Sequence, residues 1–385
     1  MKKELEIYIH IPFCVKKCAY CDFLSGPQDR GTIEKYVDKI TDEICAHSCN
    51  SRMIERYQVT SIFLGGGTPS VLDVNQIARI FYAIRENFDI AKDAEITIEA
   101  NPGTVTEEKM QAYKGCGINR ISFGLQSTNN EELKLLGRIH TYEEFLESYQ
   151  LARACGFDNI NVDLISAIPK QTVSSWEETL QKVIGLEPEH ISAYSLIVEE
   201  GTPFAKVYGE GCPKEDDLPR EEEERVIYYR TEELLEKAGY HRYEISNYAK
   251  KGKECRHNLG YWERKEYLGI GLGAASLIDN IRYKNTDDLL YYMEHSSDLS
   301  AIQENVEKLS LKEQMEEFMF LGLRKMEGVS ITEFEKLFGK DIEECYGEQI
   351  QSLIEQGLLE QKDGRLMLTR QGIDVSNYVF CEFLI

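Results

Sequence analysis

The sequence predicts an α/β protein: a partial parallel (β/α) barrel extended by extra strands, then a smaller helical, winged-helix-like C-terminal domain. Three observations predict this. First, six β-rich runs, "EIYIHIPF", "SIFLGGG", "EITIEAN", "RISFGLQS", "NINVDLISAI" and "HISAYSLIVEE", alternate with helical segments. Those segments, such as "NQIARIFYAIRENF" and "YEEFLESYQLARACG", repeat apolar residues at three- and four-residue spacing, the pattern of βαβ crossovers. Second, nearly every run ends in polar or glycine residues, at the edge where parallel folds assemble a site. Third, helical periodicity takes over from about residue 305, and "LLEQKDGRLMLT" sets two short runs around Asp363-Gly364, a hairpin-turn signal.

The expected division is 1–240 for the barrel, 241–300 for a sheet extension and 301–385 for the C-terminal domain. The extension is read from "YEISNYAKKGKECRHNLGYW" through "YLGIGLGAASLI" as added strands. The acidic stretch "CPKEDDLPREEEERVIYYRTEELLEKAG" reads as a loop entering a helix, its acids near the positive end of the helix dipole.

Composition excludes several functions. A chain of 385 residues exceeds the size at which one core stops growing. A net charge of -23 argues against nucleic acid or an anionic membrane as partner. Residues 301–385 hold nine Lys or Arg against seventeen Asp or Glu, so the winged-helix shape is read as a packing or docking domain. No apolar run reaches the length of a bilayer span, so no membrane insertion is expected. The N-terminus lacks the pattern of a secretory signal, and eleven cysteines without one point to a reducing compartment. The expected location is cytoplasmic.

"CVKKCAYC" puts Cys14, Cys18 and Cys21 into eight positions directly after the first strand. A structural zinc needs a fourth ligand, with His10 nearest and Cys45 or Cys49 more remote. Alternatively, three thiolates hold three irons of a [4Fe–4S] cluster and an exogenous ligand completes the fourth. Buried thiols without metal are the plain third reading. The remaining cysteines, Cys45, Cys49, Cys116, Cys155, Cys212, Cys255, Cys345 and Cys381, read as buried small hydrophobes.

"CVKKCAYC" resembles the cluster loop of the radical S-adenosylmethionine (SAM) superfamily. "YIHIPFC", "FLGGGTPS", "IEANPGT", "RISFGLQS", "LLGRIHT", "ISAYSLIVEEGTPF", "YEISNYA" and "RHNLGYW" follow in the order of the oxygen-independent coproporphyrinogen III oxidase-like group. The resemblance covers nearly the full length and is nearest to the heme-chaperone branch. The oxidase carries a further cysteine two positions after the last cluster ligand, where this chain has Phe23. The oxidase also has an extended N-terminal arm, whereas here the cluster motif begins almost at the start. "HNLGYW" fits the signature of the chaperone branch.

The resemblance implies a radical SAM barrel with a [4Fe–4S] cluster on Cys14, Cys18 and Cys21 and SAM chelating the fourth iron. In the superfamily an electron from the cluster cleaves SAM to methionine and a 5′-deoxyadenosyl radical. Family SAM contacts fall on Tyr8, Tyr20, Gly66, Gly67, Thr68 and Glu99. Gln126, Arg138 and Asp163 match positions that contact a second SAM in the oxidase. Each has a plainer reading. Gly66–Thr68 is a tight turn, Glu99 a solvated strand end, Tyr8 an outward aromatic, and Arg138 with Asp163 a structural ion pair. His10 matches a histidine near the oxidase cluster, with a hydrogen-bonding role as the alternative. His257 is weighed as an axial heme ligand, with a Tyr and a Trp nearby to pack on the porphyrin, against a hydrogen-bonded structural histidine. Cys255 would matter only if heme were attached through sulfur.

The resulting expectation is a heme chaperone with a SAM-chelated cluster that passes heme to an acceptor, one candidate being a membrane respiratory protein. The alternatives are oxidative decarboxylation of coproporphyrinogen III and radical SAM methylation of heme.

Overall fold

The protein is described here by a computed structural model covering residues 2–48 and 51–384. Cys49 lies outside the described residues. The six β-rich runs form β1 (Lys3–Ile11), β2 (Tyr57–Gly66), β3 (Ile90–Ala100), β4 (Arg120–Gln126), β5 (Ile160–Ser166) and β6 (His190–Ser195). They pair in parallel in chain order. Crossover helices at Arg30–Ser48, Val74–Asn87, Glu107–Gly115, Tyr142–Ala154 and Val173–Ile184 separate them. Several helix starts are written locally. Asp73 with Gln76, Thr141 with Glu144 and Thr172 with Ser175 form reciprocal capping boxes.

Side-chain alternation decides which face each strand residue serves. In β1, Leu5, Ile7, Ile9 and Ile11 are fully buried in one core with Tyr36, Val37, Ile40 and Ile44 of the first helix. Each such burial contributes roughly 1.5–3 kcal/mol. Glu6, Tyr8 and His10 alternate with them and point to the other face, which is therefore polar. All six parallel strands contribute side chains to one cavity on that face. A flat sheet does not do this; the sheet is curled around its polar side.

Among the described residues the sheet has twelve strands and is not closed. Beyond β6 come β8 (Asn247–Ala249) and β7 (His241–Arg242), both antiparallel additions. Beyond β1 come β9 (Tyr267–Ile270), parallel to it, then β10 (Ala275–Ile278), β11 (Ile281–Asn285) and β12 (Gln303–Lys308) in antiparallel succession.

The extension differs from the sequence expectation at one place: "RHNLGYW" is a helix, Arg256–Trp262, not a strand. Gly260 explains it. The helix lies so close to β1 that a Cβ there would meet the Glu6 carboxylate at 2.0 Å. In the chain the helix connects β8, on one side of the six parallel strands, to β9 on the other. On the way it crosses the polar face near the strand N-termini, with Cys255 against Glu95 of β3 and His257 against Ser61 of β2. It forms the floor of the cavity.

The C-terminal part has its own core, including Phe318, Met319, Phe334, Tyr346, Ile350 and Leu353. Helices Leu311–Gly322, Ile331–Phe338 and Ile342–Glu355 pack with β13 (Val329–Ser330), β14 (Leu359–Lys362) and β15 (Arg365–Leu368). β14 and β15 are a hairpin whose turn residues, Asp363 at φ 50° and Gly364 at φ 74°, have the positive φ values of a primed turn. Arg264 and Arg282 both pair with Glu317, joining this part to the sheet.

Not all lone cysteines are buried. Cys116 and Cys255 are, but Cys155, Cys212 and Cys345 are only partly so, and Cys45 and Cys381 are exposed. Cys45 sits on a helix beside Asn87, whose amide it accepts at 3.7 Å, and Cys381 ends the last helix. No helix among the described residues is long and apolar enough to cross a membrane.

A fully buried carboxylate ties the extension to the barrel. Glu43 accepts from Gly271 N–H at 2.9 Å, Tyr292 O–H at 2.5 Å and Asn285 Nδ2 at 2.7 Å. Three donors converge on two oxygens, so an amide in its place must aim its NH2 at another donor. Glu43→Gln is expected to lose roughly 1–3 kcal/mol of stability, the cost of a buried mismatched hydrogen bond. Chemical denaturation of the two proteins checks this.

Candidate functional site

The cysteine loop leaves β1 and is pinched at its base. Gly26 N–H donates to Pro12 O at 3.0 Å and Cys14 N–H to Gly26 O at 3.1 Å. The glycine turn after β2 fixes the loop from below. Gly67 N–H donates to Ile11 O and Thr68 N–H to Phe13 O, both at 2.8 Å. This contact explains the glycines better than a cofactor does. A Cβ on Gly67 would meet Phe13 O at 2.7 Å, and one on Gly66, at φ +107°, would meet the His10 ring at 2.5 Å. From the far side, Ala19 N–H donates to Leu136 O and Ala19 O accepts from Phe204 N–H.

Two cysteine sulfurs are met by donors. Thr68 Oγ1 donates to Cys14 Sγ at 3.5 Å, and Arg138 Nη1 to Cys18 Sγ at 3.4 Å. Asn101 links the two donors, giving its amide N–H to Thr68 Oγ1 at 2.8 Å and accepting from Arg138 Nη2 at 2.7 Å. Arg138 also donates to Gly124 O at 2.6 Å. The Arg138–Asp163 ion pair is therefore not formed: Arg138 is spent on the cysteine loop. Asp163 accepts instead from Ser122 at 2.9 Å and Asn161 at 2.8 Å. Tyr20 is packed beside Arg138, and burial raises its pKa. Gln126 sits at a strand end with φ 73°, its amide within reach of Gly124.

His10 is a hydrogen-bonding bridge. Its Nδ1 pairs with Tyr8 Oη at 3.0 Å and its Nε2 with Leu24 O at 2.9 Å. Both nitrogens are used, and burial lowers its pKa. Among the described residues no three His, Cys, Asp or Glu side chains gather as a single-ion site needs. The zinc arrangement with His10 or Cys45 is not formed. Three thiols presented by one tied loop, two of them facing N–H or O–H donors, fit an anionic iron–sulfur cluster, whose sulfurs take such hydrogen bonds.

Below the loop lies the cavity of about 210 Å³, walled by Tyr8, Glu99, Arg120, Asp163, Tyr194 and His257 among others. Glu99 accepts from Gly66 N–H at 3.1 Å; burial and then the nearby Asp163 raise its pKa to about 8. It is a proton-bearing strand-end carboxyl rather than a solvated one. Arg120, Asn161, Ser122 and Glu6 were not singled out from the sequence. The available signal was parity: a charged residue inside an apolar strand, such as Glu6 in "EIYIHI", faces the same side as Tyr8 and His10.

At His257 the structure shows a hydrogen-bonded histidine. It is 2% exposed, with Nδ1 2.8 Å from Ser61 Oγ and Nε2 3.2 Å from Tyr261 Oη. Burial, then Arg120, push its pKa down to about 3, so it is neutral. Tyr261 stands edge-on to it, and Trp262 is covered by Arg324 at 4.4 Å. Both ring nitrogens are thus engaged within the fold, leaving neither free as the structure stands. Cys255 is fully buried with its thiol 3.4 Å from Glu95, and burial pushes the thiol pKa up, against attachment through sulfur.

Residues 8–183 match the family model of the Radical SAM superfamily, and residues 309–375 match that of the HemN C-terminal domain. A relative from Lactococcus lactis named heme chaperone HemW is 38% identical, over 100% of this chain and 98% of its own. The chain belongs to the HemW family. A second HemW, from Bacillus subtilis, is 34% identical over 98% of both chains. The solved coproporphyrinogen III oxidase of Escherichia coli, described as a Radical SAM enzyme, superposes with a TM-score of 0.86 at 25% identity. The superposition covers 99% of this chain and 90% of that one. This chain and that oxidase thus share one scaffold over the superposed length.

The polar face carries a pH signature. Burial raises the Glu6 carboxyl to about 9 against the opposing pull of Lys265, and Glu99 to about 8. Between pH about 7 and 9, above the range in which the buried neutral histidines act in the opposite sense, the folded chain holds protons that the unfolded carboxylates have released, so stability falls as pH rises through that window. Glu6→Gln, which keeps a neutral side chain, is expected to flatten the fall. Thermal melts of cofactor-free protein across the window check it.

Proposed function

We propose that this protein is a heme chaperone that binds heme and delivers it to an acceptor protein, holding a [4Fe–4S] cluster and SAM as resident cofactors. The observation that carries the reading is similarity to named heme chaperones along essentially the whole chain. Cys14, Cys18 and Cys21 would hold the cluster. Tyr8, Tyr20, Gly66, Gly67, Thr68 and Glu99 would bound the SAM site, with Gln126, Arg138 and Asp163 at its inner wall. When bound, the cluster supplies a low-potential electron and SAM a sulfonium able to accept it.

The chain's own residues have definite work in this arrangement. Thr68 and Arg138 place donors on two sulfurs, which stabilises the more negative, reduced charge state. Asn101 fixes both donors at once. Glu99 carries a proton at neutral pH, and a cationic ligand group beside it favours release of that proton. The helical floor supplies His257, Asn258 and Tyr261 to the cavity wall. The acceptor in this reading is a respiratory membrane protein met in the cytoplasm, without membrane insertion by this chain.

The oxidase activity is the second reading, supported by the shared scaffold. Phe23 in place of the oxidase's further cysteine favours the chaperone. Anaerobic titration of cluster-reconstituted protein with heme should give a stoichiometric Soret band, and incubation with SAM, reductant and coproporphyrinogen III should give no protoporphyrinogen IX. Steady turnover would exclude the chaperone reading. His257→Ala should leave the Soret maximum where it is, and a shift would restore that imidazole as a ligand. Arg138→Ala should make the cluster harder to reduce. Loss of a charge-assisted bond of roughly 1.5–3 kcal/mol corresponds to about 65–130 mV for one electron, read by EPR-monitored redox titration.

A further inference from the structure

The loop that carries the three cysteines also presents an apolar outer surface. Val15 is 60% exposed, Phe23 64% and Leu24 39%. Ile139, 50% exposed, follows directly on Arg138, whose side chain grips Cys18. These residues do not stand out because the loop is loose: its base, its middle and its underside are all hydrogen-bonded as described above. Lone exposed apolar residues need no explanation, but here three lie on one tied loop and the fourth adjoins the arginine that grips it.

The patch has a cationic edge. Lys17 donates to Phe23 O at 2.7 Å, which lays it against the apolar residues. Lys16 is exposed and makes no hydrogen bond or ion pair among the described residues. In a chain of net charge -23, this loop sets two lysines against a single acid, Asp22. An apolar surface bordered by cations complements a flat apolar ligand bearing carboxylates on one side. Heme is such a ligand, a planar macrocycle with two propionates at one edge. The cavity below is lined by charged and polar groups such as Glu99, Arg120 and Asp163, which offer no apolar face to it.

We propose that heme docks on the outside of the cysteine loop, its face on Val15 and Phe23 and its propionates on Lys16 and Lys17. This rests on the heme-chaperone reading and names the binding surface for it. The cargo then lies over the cluster motif, separated from the cavity by the loop itself.

The test uses full-length protein with reconstituted cluster and SAM, titrated anaerobically with heme and followed at the Soret band. Val15→Asp/Phe23→Asp should weaken binding roughly tenfold or more, while cluster absorption and far-UV circular dichroism match the parent. Lys16→Glu/Lys17→Glu should weaken heme by several-fold, yet leave the affinity for heme dimethyl ester, which lacks free propionates, within about twofold of the parent. If the parent binds heme and both double variants bind it equally well, the surface is wrong and the chaperone reading stands. If heme affinity is unchanged but transfer to an acceptor is lost, the patch docks a protein and the proposal is overturned. If the parent itself binds no heme, the chaperone reading falls and the surface with it.

Discussion

Two backbone hydrogen bonds, from Gly67 to Ile11 and from Thr68 to Phe13, are the constraint on which the site depends. They fasten the loop after the first strand to the turn after the second, where no side chain fits between them. Everything else that touches the cysteines is referenced to that joint. Thr68 can reach Cys14 because its backbone is anchored under Phe13. Asn101 can hold Thr68 and Arg138 together because β3 ends one strand further along. A reactive loop built this way is positioned by the sheet and not by its own short sequence.

The polar lining follows from the same strand geometry. Parallel strands with helices on one side need apolar residues only on that side, so every second residue is released for chemistry. β1 shows this plainly: Leu5, Ile7, Ile9 and Ile11 hold the fold, while Glu6, Tyr8 and His10 belong to the cavity side. The interior they build is low in dielectric and crowded with carboxyls. Glu6 and Glu99 accordingly keep their protons at neutral pH, and His257 stays neutral.

Much of this was legible before any coordinates. Strand and helix periodicity located the six parallel units, and Asp363-Gly364 located the C-terminal hairpin, because both signals are local. The cysteine spacing and the glycine turn pointed to one edge of the sheet for the same reason. What was not legible depends on contacts between distant residues. "RHNLGYW" is a helix whose Gly260 lies against Glu6, more than two hundred residues away. Arg138 passes over Asp163 for Cys18 and Asn101, and nothing near it in sequence announces that choice. His257 is open to both readings from its neighbours in the chain, whereas its neighbours in space, Ser61, Tyr261 and Arg120, leave it buried, neutral and hydrogen-bonded.

The helix Arg256–Trp262 has a consequence for how such a scaffold diversifies. A sheet closed by strand pairing has its width set in whole steps of register, since every change must preserve a ladder of backbone bonds. Here the sheet stays open and one wall of the cavity is made by side chains on a short helix, so the interior can be resized one side chain at a time. Two descendants of one ancestor can then hold interiors of different shape over an unchanged frame of strands, and selection for a new occupant need never pass through a misfolded intermediate.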